Sequence, residues 1–325
     1  MFGLRQDKPR WLGLVALFGL ALTTTAQEKP PALPAGATAR ETLRVESNLV
    51  NMFFTVRDKK HKLVKNLRRD QFRVTDNEQP QTITHFAEEF DAPLALAIVF
   101  DKSKSVRSNF DFQRQATVSF LRSVVRPGKD QVLLITFDKE PHLAVPFTDQ
   151  VEKVEQALAG LEADGGSALF DAARMAIEEH LSQAGARRKV LILVSDGEDT
   201  VSWTTRGEVL SLALSRNISV YSLGVAPDGP GKHRRARRNL LRLTQDTGGL
   251  ALFPKQDPEE LAELFERIEE ELRHQYSLGY ALPPPDGRVF HQVVIQSSKK
   301  GYRVQARRGY YSAWATPSAG VASNR

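Results

Sequence analysis

The sequence has no cysteine among its 325 residues. This absence excludes a disulfide framework, a thiolate metal site, a cysteine nucleophile and a lipid-modified N-terminal cysteine. The sequence also lacks a Gly-x-Ser-x-Gly elbow, a Walker A loop and a His-Glu-x-x-His pair, and its seven histidines form no cluster with ligand spacing. Any bound metal must therefore rely on oxygen ligands rather than thiolates.

The composition is that of a folded chain with a mild basic excess. Hydrophobic residues make up 41% and charged residues 26%, which is enough apolar material to bury a core. The length suggests two domains, or one large domain with additions. The net charge of +6 leaves an anionic partner open, but much of the excess belongs to the N-terminus and to the run Lys232–Arg242. Without these two segments the chain is slightly acidic.

The N-terminus has the layout of a secretory signal peptide, which we predict for residues 1–26. Arg5, Lys8 and Arg10 precede an apolar run, and small residues follow as far as Ala26. The run of twelve residues is too short to span a bilayer, which needs roughly 20; a short membrane anchor is the alternative interpretation. Residues 27–44 are rich in proline and alanine and are predicted to form a linker. The protein is therefore expected to be exported, to the periplasm or the extracellular space.

Two regions have the pattern of β-strands. They are an N-terminal β segment, residues 45–92, and a C-terminal β segment, residues 274–312; residues 313–325 are predicted to be a disordered tail. Each β segment is too small to be stable alone. Since the two ends of an inserted domain can lie close together, we expect the N-terminal strands and a C-terminal hairpin to pair into one small β-sandwich.

Between these segments, residues 93–273 alternate short apolar runs with segments of helical spacing. The runs Leu94–Phe100, Gln131–Phe137, Lys189–Ser195 and Ile218–Val225 are nearly continuous in apolar residues, as strands buried on both faces of a parallel sheet are. Strand followed by helix, repeated, implies right-handed crossovers. The predicted fold class is α/β, with a doubly wound, mostly parallel sheet.

Oxygen-bearing side chains occur three times where a predicted strand or loop precedes a helix. The segments are Asp101-Lys102-Ser103-Lys104-Ser105, Gly165-Gly166-Ser167 and Ser195-Asp196-Gly197. Ligands of open α/β sheets bind beyond the carboxyl ends of the strands. Hydroxyl and carboxylate oxygens suit a hard divalent cation such as Mg²⁺.

In this order, the three segments resemble the metal-ion-dependent adhesion site of von Willebrand factor type A domains, which have a Rossmann-like fold. The resemblance is strongest to the bacterial exported family called VWFA-related, and it extends to flanking segments that include Asp76, Tyr280 and Tyr310. The resemblance implies a protein-binding or adhesion module and not an enzyme. In such a module, an Asp or Glu carboxylate of the partner completes the coordination shell of a bound Mg²⁺. Mn²⁺ and Ca²⁺ are the alternative ions. The implied metal site comprises Asp101, Ser103, Ser105, Ser167 and Asp196. Of these, the two serines of the first segment would bind directly, the two aspartates mainly through water, and Ser167 would replace the usual Thr.

Two lysines depart from the family pattern. Lys102 and Lys104 stand between the predicted ligands, where small or neutral residues are usual. Two unit charges 4 Å apart repel by ~1 kcal/mol in water and by more at a lower dielectric constant. If the ammonium groups point to solvent, the loss of metal affinity is small, whereas an inward ammonium group could replace the metal.

Two other functions fit the same residues. A phosphohydrolase could use Asp101 as its nucleophile, but Ser103 occupies the position where such enzymes carry a second acid. The serines and aspartates could instead only cap helices and close loops, which would make the chain a structural envelope protein with a vestigial metal site.

The run Lys232–Arg242 is a candidate anion contact. Ala236, Leu240 and Leu243 share one face of a helix, which leaves the arginines on a solvated face. The candidate contacts are Arg234, Arg235, Arg237 and Arg238, with an anionic envelope surface as the candidate partner. No aromatic residues are interleaved for base stacking, so we expect no nucleic-acid binding.

Overall fold

A computed structural model describes residues 49–312, apart from 186, 225–232, 255–256 and 285. The predicted signal peptide, the linker and the C-terminal tail lie outside the described residues. All described residues belong to one unit, Ser47–Arg325. Among them, no helix combines the length and the apolar character needed to cross a membrane.

The described residues form fourteen strands and six α-helices. The strands are β1 Leu49–Arg57, β2 Phe72–Asp76, β3 Gln79–Gln81, β4 Ile83–Phe90, β5 Leu94–Asp101, β6 Gln131–Phe137, β7 Pro141–Thr148, β8 Arg188–Val194, β9 Ser219–Leu223, β10 Ala251–Leu252, β11 His274–Ala281, β12 Phe290–Ser297, β13 Arg303–Ala306 and β14 Gly309–Tyr311. The helices are α1 Phe110–Val124, α2 Val151–Ala159, α3 Leu169–Met175, α4 Arg206–Ser215, α5 His233–Asp246 and α6 Pro258–Arg273.

The central sheet has six strands in the order β10-β9-β8-β5-β6-β7. All neighbours are parallel except β7, which pairs antiparallel with β6. Every residue of β5 is buried, because one core lies on each face of the sheet. The continuous apolar runs predicted such a doubly covered parallel sheet, and the α/β fold class is confirmed.

The order of the strands creates a switch point beside β5. From β5 the chain passes to β6 and β7 on one side, and β8, β9 and β10 then follow on the other side. The connections that leave β5 and β8 therefore diverge, which opens a crevice at the carboxyl ends of these two strands.

The flanking segments form two four-stranded sheets, in the orders β13-β1-β11-β4 and β14-β12-β2-β3. Each sheet contains strands from both ends of the chain, and their apolar faces share one core. The rings of Phe54 and Phe72, from opposite sheets, are 5.1 Å apart between centroids. The predicted β-sandwich is confirmed, but β11 and β12 lie in different sheets and do not form a hairpin. Both are central strands of their sheets, so each buries more surface there than it would in an isolated hairpin.

A buried carboxylate links the sequence segments that flank the α/β region. The Oδ2 atom of Asp76 accepts hydrogen bonds from the hydroxyl groups of Tyr280, at 2.9 Å, and Tyr310, at 2.7 Å. The Nδ1 atom of His291 lies 2.9 Å from Asp76 Oδ1. Three of these residues are far from Asp76 in sequence, so this network depends on the paired β segments.

Strand β7 and helix α4 were not predicted from the sequence pattern. Strand β7 contains Pro141 and Pro146 and buries only Val145, so it lacks the apolar run of an interior strand and occupies the edge, where proline is tolerated. Helix α4 begins at a capping box, because Thr205 Oγ1 accepts from the backbone N–H of Glu208 at 3.3 Å. The Thr-x-x-Glu spacing was thus a usable helix signal.

The helix that begins at Leu169 changes its geometry along its length. The α-helical part ends at Met175, and it continues as a π-helical turn, Ala176–His180, and a short 3-10 turn, Leu181–Gln183. Its buried residues, which include Leu169, Ala173 and Ile177, still lie on the core of the sheet.

Candidate metal site

The switch point carries the first and third of the predicted segments. Phe100 of β5 pairs with Val194 of β8, so the residues that follow, Asp101 and Ser195, emerge side by side. Ser195 Oγ donates to Asp101 Oδ2 at 2.6 Å. Ser195 was part of a predicted segment but was not predicted to contact Asp101; only the register of the two strands reveals this bond.

The Asp-x-Ser-x-Ser segment turns sharply after β5. The backbone N–H of Ser103 donates to Asp101 Oδ1 at 2.8 Å, and the hydroxyl oxygens of Ser103 and Ser105 are 2.9 Å apart. Asp101 and Ser103 are buried, while Ser105 is exposed at the start of a 3-10 turn, Lys104–Asn109. The segment thus places two hydroxyl oxygens together beside a buried carboxylate.

Ser167 and Asp196 belong to the other two loops. Ser167 Oγ donates to the carbonyl oxygen of Glu198 at 2.7 Å, and the N–H of Glu198 donates to Asp196 Oδ1 at 2.9 Å. The other carboxylate oxygen of Asp196, Oδ2, is buried and has no hydrogen-bond partner in the described part of the chain. A buried carboxylate oxygen without a partner is costly unless a cation or water satisfies it.

The three loops are tied to one another. Asp164 N–H donates to the carbonyl oxygen of Lys102 at 2.8 Å, which joins the first loop to the second. The Ser167 to Glu198 bond joins the second to the third, and the Ser195 to Asp101 bond joins the third to the first. The five predicted residues therefore lie on one hydrogen-bonded set of loops.

Burial and, to a smaller extent, the nearby charge of Asp196 raise the pKa of the Asp101 carboxyl to about 7, although hydrogen bonds from Ser103 and Ser195 oppose the shift. The two carboxyls repel each other when both are ionised. A divalent cation between them would stabilise the ionised forms. With the hydroxyls of Ser103, Ser105 and Ser167, they make a donor set of oxygens that fits a hard cation.

The two lysines of the first loop point to different surroundings. Lys102 forms an ion pair with Asp138, the residue that follows β6. Although burial opposes it, the hydrogen bond from Lys102 holds the pKa of Asp138 below its usual value. Lys104 is exposed to solvent. The charge of Lys102 is thus balanced by Asp138, and that of Lys104 is screened by water.

The described residues contain no group of three or more histidine and acidic side chains placed to hold a metal. The candidate site instead combines two carboxylates with three hydroxyls. Such a set carries less negative charge than an all-carboxylate site, so a further anionic ligand from outside would complete it favourably.

A cavity of about 590 Å³ adjoins the third loop. Gly197 and Glu198 form part of its wall, directly after Asp196. Its basic lining residues are Arg206, Arg235, Arg238 and Arg242. The cavity therefore gathers arginines from α4 and α5 next to the candidate metal site.

Two of the four arginines predicted as anion contacts line this cavity, and two do not. Arg235 and Arg238 belong to the lining, together with Arg206 and Arg242, which were not predicted. Arg237 instead stacks on Phe253, with its guanidinium carbon 3.7 Å from the ring centroid. The i, i+3, i+7 spacing of the three lining arginines of α5 was a signal in the sequence, whereas the contribution of Arg206 depends on how α4 and α5 pack.

The loop from β8 to α4 also presents an exposed aromatic side chain that sequence reasoning missed. Trp203 is 95% exposed and Val201 is 43% exposed. The loop is nonetheless well held: Asp171 accepts from the N–H groups of Trp203 and Thr204, and the N–H of Val201 donates to the carbonyl oxygen of Ser167. A tryptophan isolated in a polar stretch after the Ser-Asp-Gly segment was the available signal.

Comparisons with known proteins identify the family of the α/β domain. The model of the von Willebrand factor type A domain family matches residues 95–267. The human inter-alpha-trypsin inhibitor heavy chain H4 is 29% identical over 189 residues, which cover 53% of this chain and 19% of that protein. An uncharacterized protein of Borreliella burgdorferi is 25% identical over 138 residues, which cover 40% of each chain. This chain thus spans less than half the length of both curated relatives.

Solved structures that align with this chain include the following two. A von Willebrand factor type A protein from Catenulispora acidiphila aligns with a TM-score of 0.47 and 13% identity, over 74% of each chain. Proximal thread matrix protein 1 from the mussel byssus, described with a zinc-occupied MIDAS motif, aligns with a TM-score of 0.49 and 16% identity, over 59% of this chain and 49% of that one.

Proposed function

The chain belongs to the von Willebrand factor type A domain family, and from this premise we propose that it captures an acidic side chain of a protein partner through a divalent cation. Domains of this family are commonly metal-dependent adhesion or protein-interaction modules, and they are typically not enzymes. The proposal gives this chain the same type of activity and assigns it to named residues.

The observation that carries the proposal is the set of three hydrogen-bonded loops at the switch point. Asp101, Ser103, Ser105, Ser167 and Asp196 would hold the cation, and the unpaired Oδ2 atom of Asp196 supports this assignment. We favour Mg²⁺, with Mn²⁺ or Ca²⁺ as alternatives, because all donors are hard oxygen atoms. When bound, the cation supplies a coordination position for an external carboxylate.

The surface around the site supports protein binding. Trp203 and Val201 lie on the loop that is hydrogen-bonded to Ser167, and both expose apolar surface to solvent. An exposed tryptophan on a well-ordered loop is the type of residue that dominates the energy of protein interfaces. A partner that reaches the cation would contact this loop as well.

Titration calorimetry with Mg²⁺ tests the metal assignment. We expect saturable heat for the wild type and its loss in Asp101→Asn and in the double variant Ser103→Ala/Ser105→Ala. Asp164→Asn is the matched control, since Asp164 is an exposed carboxylate on the neighbouring loop and not in the donor set; it should bind like the wild type. Equal heats in all four proteins, or none in the wild type, would favour the vestigial site of a structural envelope protein.

Partner capture tests the binding role. Envelope extract passed over the immobilised wild type should yield a partner that is released by chelator and is not retained by Asp101→Asn. Turnover of a generic phosphoester that disappears in Asp101→Asn would instead support the phosphohydrolase alternative.

Export is the remaining part of the proposal. Arg5, Lys8 and Arg10, the apolar run and the small residues before Gln27 support cleavage after Ala26 and a periplasmic or extracellular location. Mass spectrometry of the protein from its native cells should find a mature N-terminus at Gln27. An intact N-terminus in the membrane fraction would favour the membrane anchor.

A further inference from the structure

We propose that the arginine-lined cavity is a second carboxylate subsite, which binds an acidic segment of the same partner beside the residue held at the metal. The inference rests on the proposed function for the identity of the partner, but the cavity itself is independent of the metal. The occupant is a protein segment with at least two acidic residues.

The first step is the arrangement of α5. Arg235, Arg238 and Arg242 follow the spacing i, i+3 and i+7, so they share one face of the helix. The opposite face holds the helix on the core through Ala236, Leu240 and Leu243, which are all buried. Because the buried face sets the rotation of the helix, the three arginines are directed to one side.

The guanidinium groups of α5 that line the cavity have no acidic partner among the described residues. Arg235, Arg238 and Arg242 are exposed, and none of them forms an ion pair with the described residues. Arg206, the fourth arginine of the lining, donates to Asn239 Oδ1 at 3.1 Å, and in the described part of the chain its other N–H groups have no acidic partner. Guanidinium groups bind carboxylates through paired, charge-assisted hydrogen bonds.

The charge of the cavity remains positive after its own acids are counted. The described lining contains four arginines and two acidic residues, Glu198 and Asp199. Asp199 is committed within the loop, because its Oδ1 atom accepts from Ser202 Oγ at 2.5 Å and from the N–H of Phe170 at 3.3 Å. An anionic ligand is therefore favoured over a neutral or cationic one.

The cavity and the candidate metal site share a wall. Helix α5 packs so closely on the third loop that a Cβ atom on Gly197 would lie 2.5 Å from the carbonyl oxygen of Ala236. Asn239 Nδ2 also donates to the carbonyl oxygen of Gly197 at 3.4 Å. Asp196 of the metal site and Gly197 of the cavity wall are consecutive residues, so one extended segment can reach both.

The shape of the site favours a peptide segment over a membrane surface. A concave space of about 590 Å³ admits the side chains of a peptide. The headgroups of a flat bilayer would instead contact mainly the arginines of α5 that lie outside the cavity. Phe170 is the aromatic residue of the described lining, and a single ring offers no platform for successive nucleic-acid bases.

The test measures fluorescence anisotropy of a labelled octaglutamate peptide on the full chain, with Mg²⁺ and with chelator, and uses octaglutamine as the uncharged probe. We expect octaglutamate to bind and octaglutamine not to bind. The double variant Arg238→Ala/Arg242→Ala should weaken octaglutamate binding about tenfold in both buffers. The control Arg216→Ala/Arg234→Ala removes the same charge from exposed positions outside the lining and should change the affinity less than twofold.

The outcomes separate this inference from the proposed function. If Asp101→Asn leaves Mg²⁺ binding unchanged but the cavity variant still loses the peptide, the metal proposal fails and the cavity stands. If the cavity and control variants weaken binding equally, the helix acts only as a diffuse basic surface and the inference is overturned. It is also overturned if vesicles containing phosphatidylglycerol bind in an Arg238- and Arg242-dependent way while octaglutamate does not bind.

Discussion

At the scale of single residues, Trp203 has the most exposed large apolar side chain of the described residues, and nothing in the chain's own packing requires it. Its backbone is held by Asp171, whose carboxylate accepts from the N–H groups of Trp203 and Thr204. Burial raises the pKa of Asp171, yet hydrogen bonds from Thr204 and Trp203 hold it below its usual value, so the carboxylate stays ionised. The loop is thus ordered while its indole ring remains in solvent.

We predict that Trp203→Ala weakens capture of the chelator-sensitive partner by about tenfold or more, because a central tryptophan often contributes 2 kcal/mol or more to an interface. The melting temperature should stay within about one degree of the wild type, since an exposed side chain contributes little to folding. Val294→Ala, which truncates an exposed apolar side chain of β12, is the control. Equal capture by both variants would exclude Trp203 from the interface.

Asp130 is a second residue whose role follows from its contacts. The carboxylate is fully buried and accepts from the N–H of Leu94 at 2.9 Å, from Arg126 Nε at 3.0 Å and from Arg273 Nη2 at 2.6 Å. Burial alone would raise its pKa, but the hydrogen bonds from Arg273 and Arg126 hold it well below the usual value for aspartate. It joins the start of β5 to the end of α6.

A depressed pKa means that the unfolded chain binds a proton at Asp130 more readily than the folded chain does. The stability that this carboxylate contributes is therefore complete above its unfolded pKa of about 3.9 and is lost as the pH falls from about 5 towards the folded value. Asp130→Asn should cost about 2–4 kcal/mol at pH 7 and should flatten the decline in stability below pH 5. Urea unfolding at several pH values checks this, with the exposed Asp111→Asn as control; parallel pH curves for wild type and Asp130→Asn would refute it.

At the scale of elements, the loop between β8 and α4 packs against helix α5, which carries three of the four arginines that line the cavity. This loop therefore joins the candidate metal site to the cavity. Gly197 adopts a φ of +85°, and its Cα faces the backbone of α5 without room for a side chain. The loop therefore requires glycine for two reasons, the left-handed conformation and the close approach. Its two neighbours, Asp196 and Glu198, belong to the candidate metal site and to the cavity wall.

Gly197→Ala is expected to destabilise the protein by about 2–4 kcal/mol, through backbone strain and a clash with the backbone of α5. It should also reduce the heat of Mg²⁺ binding, because the displaced loop carries Asp196. Gly128→Ala is the matched control, since its φ of +73° imposes similar strain while its Cβ would meet no atom within 4 Å. Chemical unfolding measures the stability of both variants, and calorimetry measures their Mg²⁺ binding. If both variants lose the same stability and the same heat of Mg²⁺ binding, backbone strain alone explains the effect of Gly197→Ala, and the close packing against α5 contributes nothing.

At the scale of the whole molecule, strands from both ends of the chain share each sheet of the sandwich, and α6 connects this sandwich to the α/β sheet. Arg57 of β1 donates two hydrogen bonds to Glu271 Oε1 of α6, at 2.8 and 2.6 Å, and both side chains are buried. Burial raises the pKa of Glu271, and the charge and hydrogen bonds of Arg57 oppose the shift. The pair lies 214 residues apart in sequence and links the two regions.

Removal of one partner leaves the other charge buried, so Arg57→Met should cost about 3–5 kcal/mol. The double variant Arg57→Met/Glu271→Leu should recover much of this loss, because no charge then remains buried. Thermal unfolding followed by circular dichroism measures both. The single variant Glu271→Leu is measured as well. If the loss of stability in the double variant equals the sum of the losses in the two single variants, the two side chains do not act as a pair.

The local features of this protein were predictable from its sequence. The apolar runs predicted the interior strands, because burial on both faces demands continuous hydrophobicity. The Asp-x-Ser-x-Ser, Gly-Gly-Ser and Ser-Asp-Gly segments identified the candidate metal site, because each segment contains its own oxygen donors. The buried and exposed faces of α5 were equally readable from its spacing. Edge strand β7 was not, since its sequence lacks an apolar run.

Contacts between residues far apart in the chain depend instead on the packed fold. The pairing of β5 with β8 placed Ser195 against Asp101, and the packing of α4 on α5 added Arg206 to the arginines of the cavity. The strands flanking the α/β region were recognisable, but their division between two sheets depended on which partners buried the most apolar surface. Such contacts join residues far apart in the chain, and the free energy that selects them belongs to the packed whole, so no local pattern of residues records it.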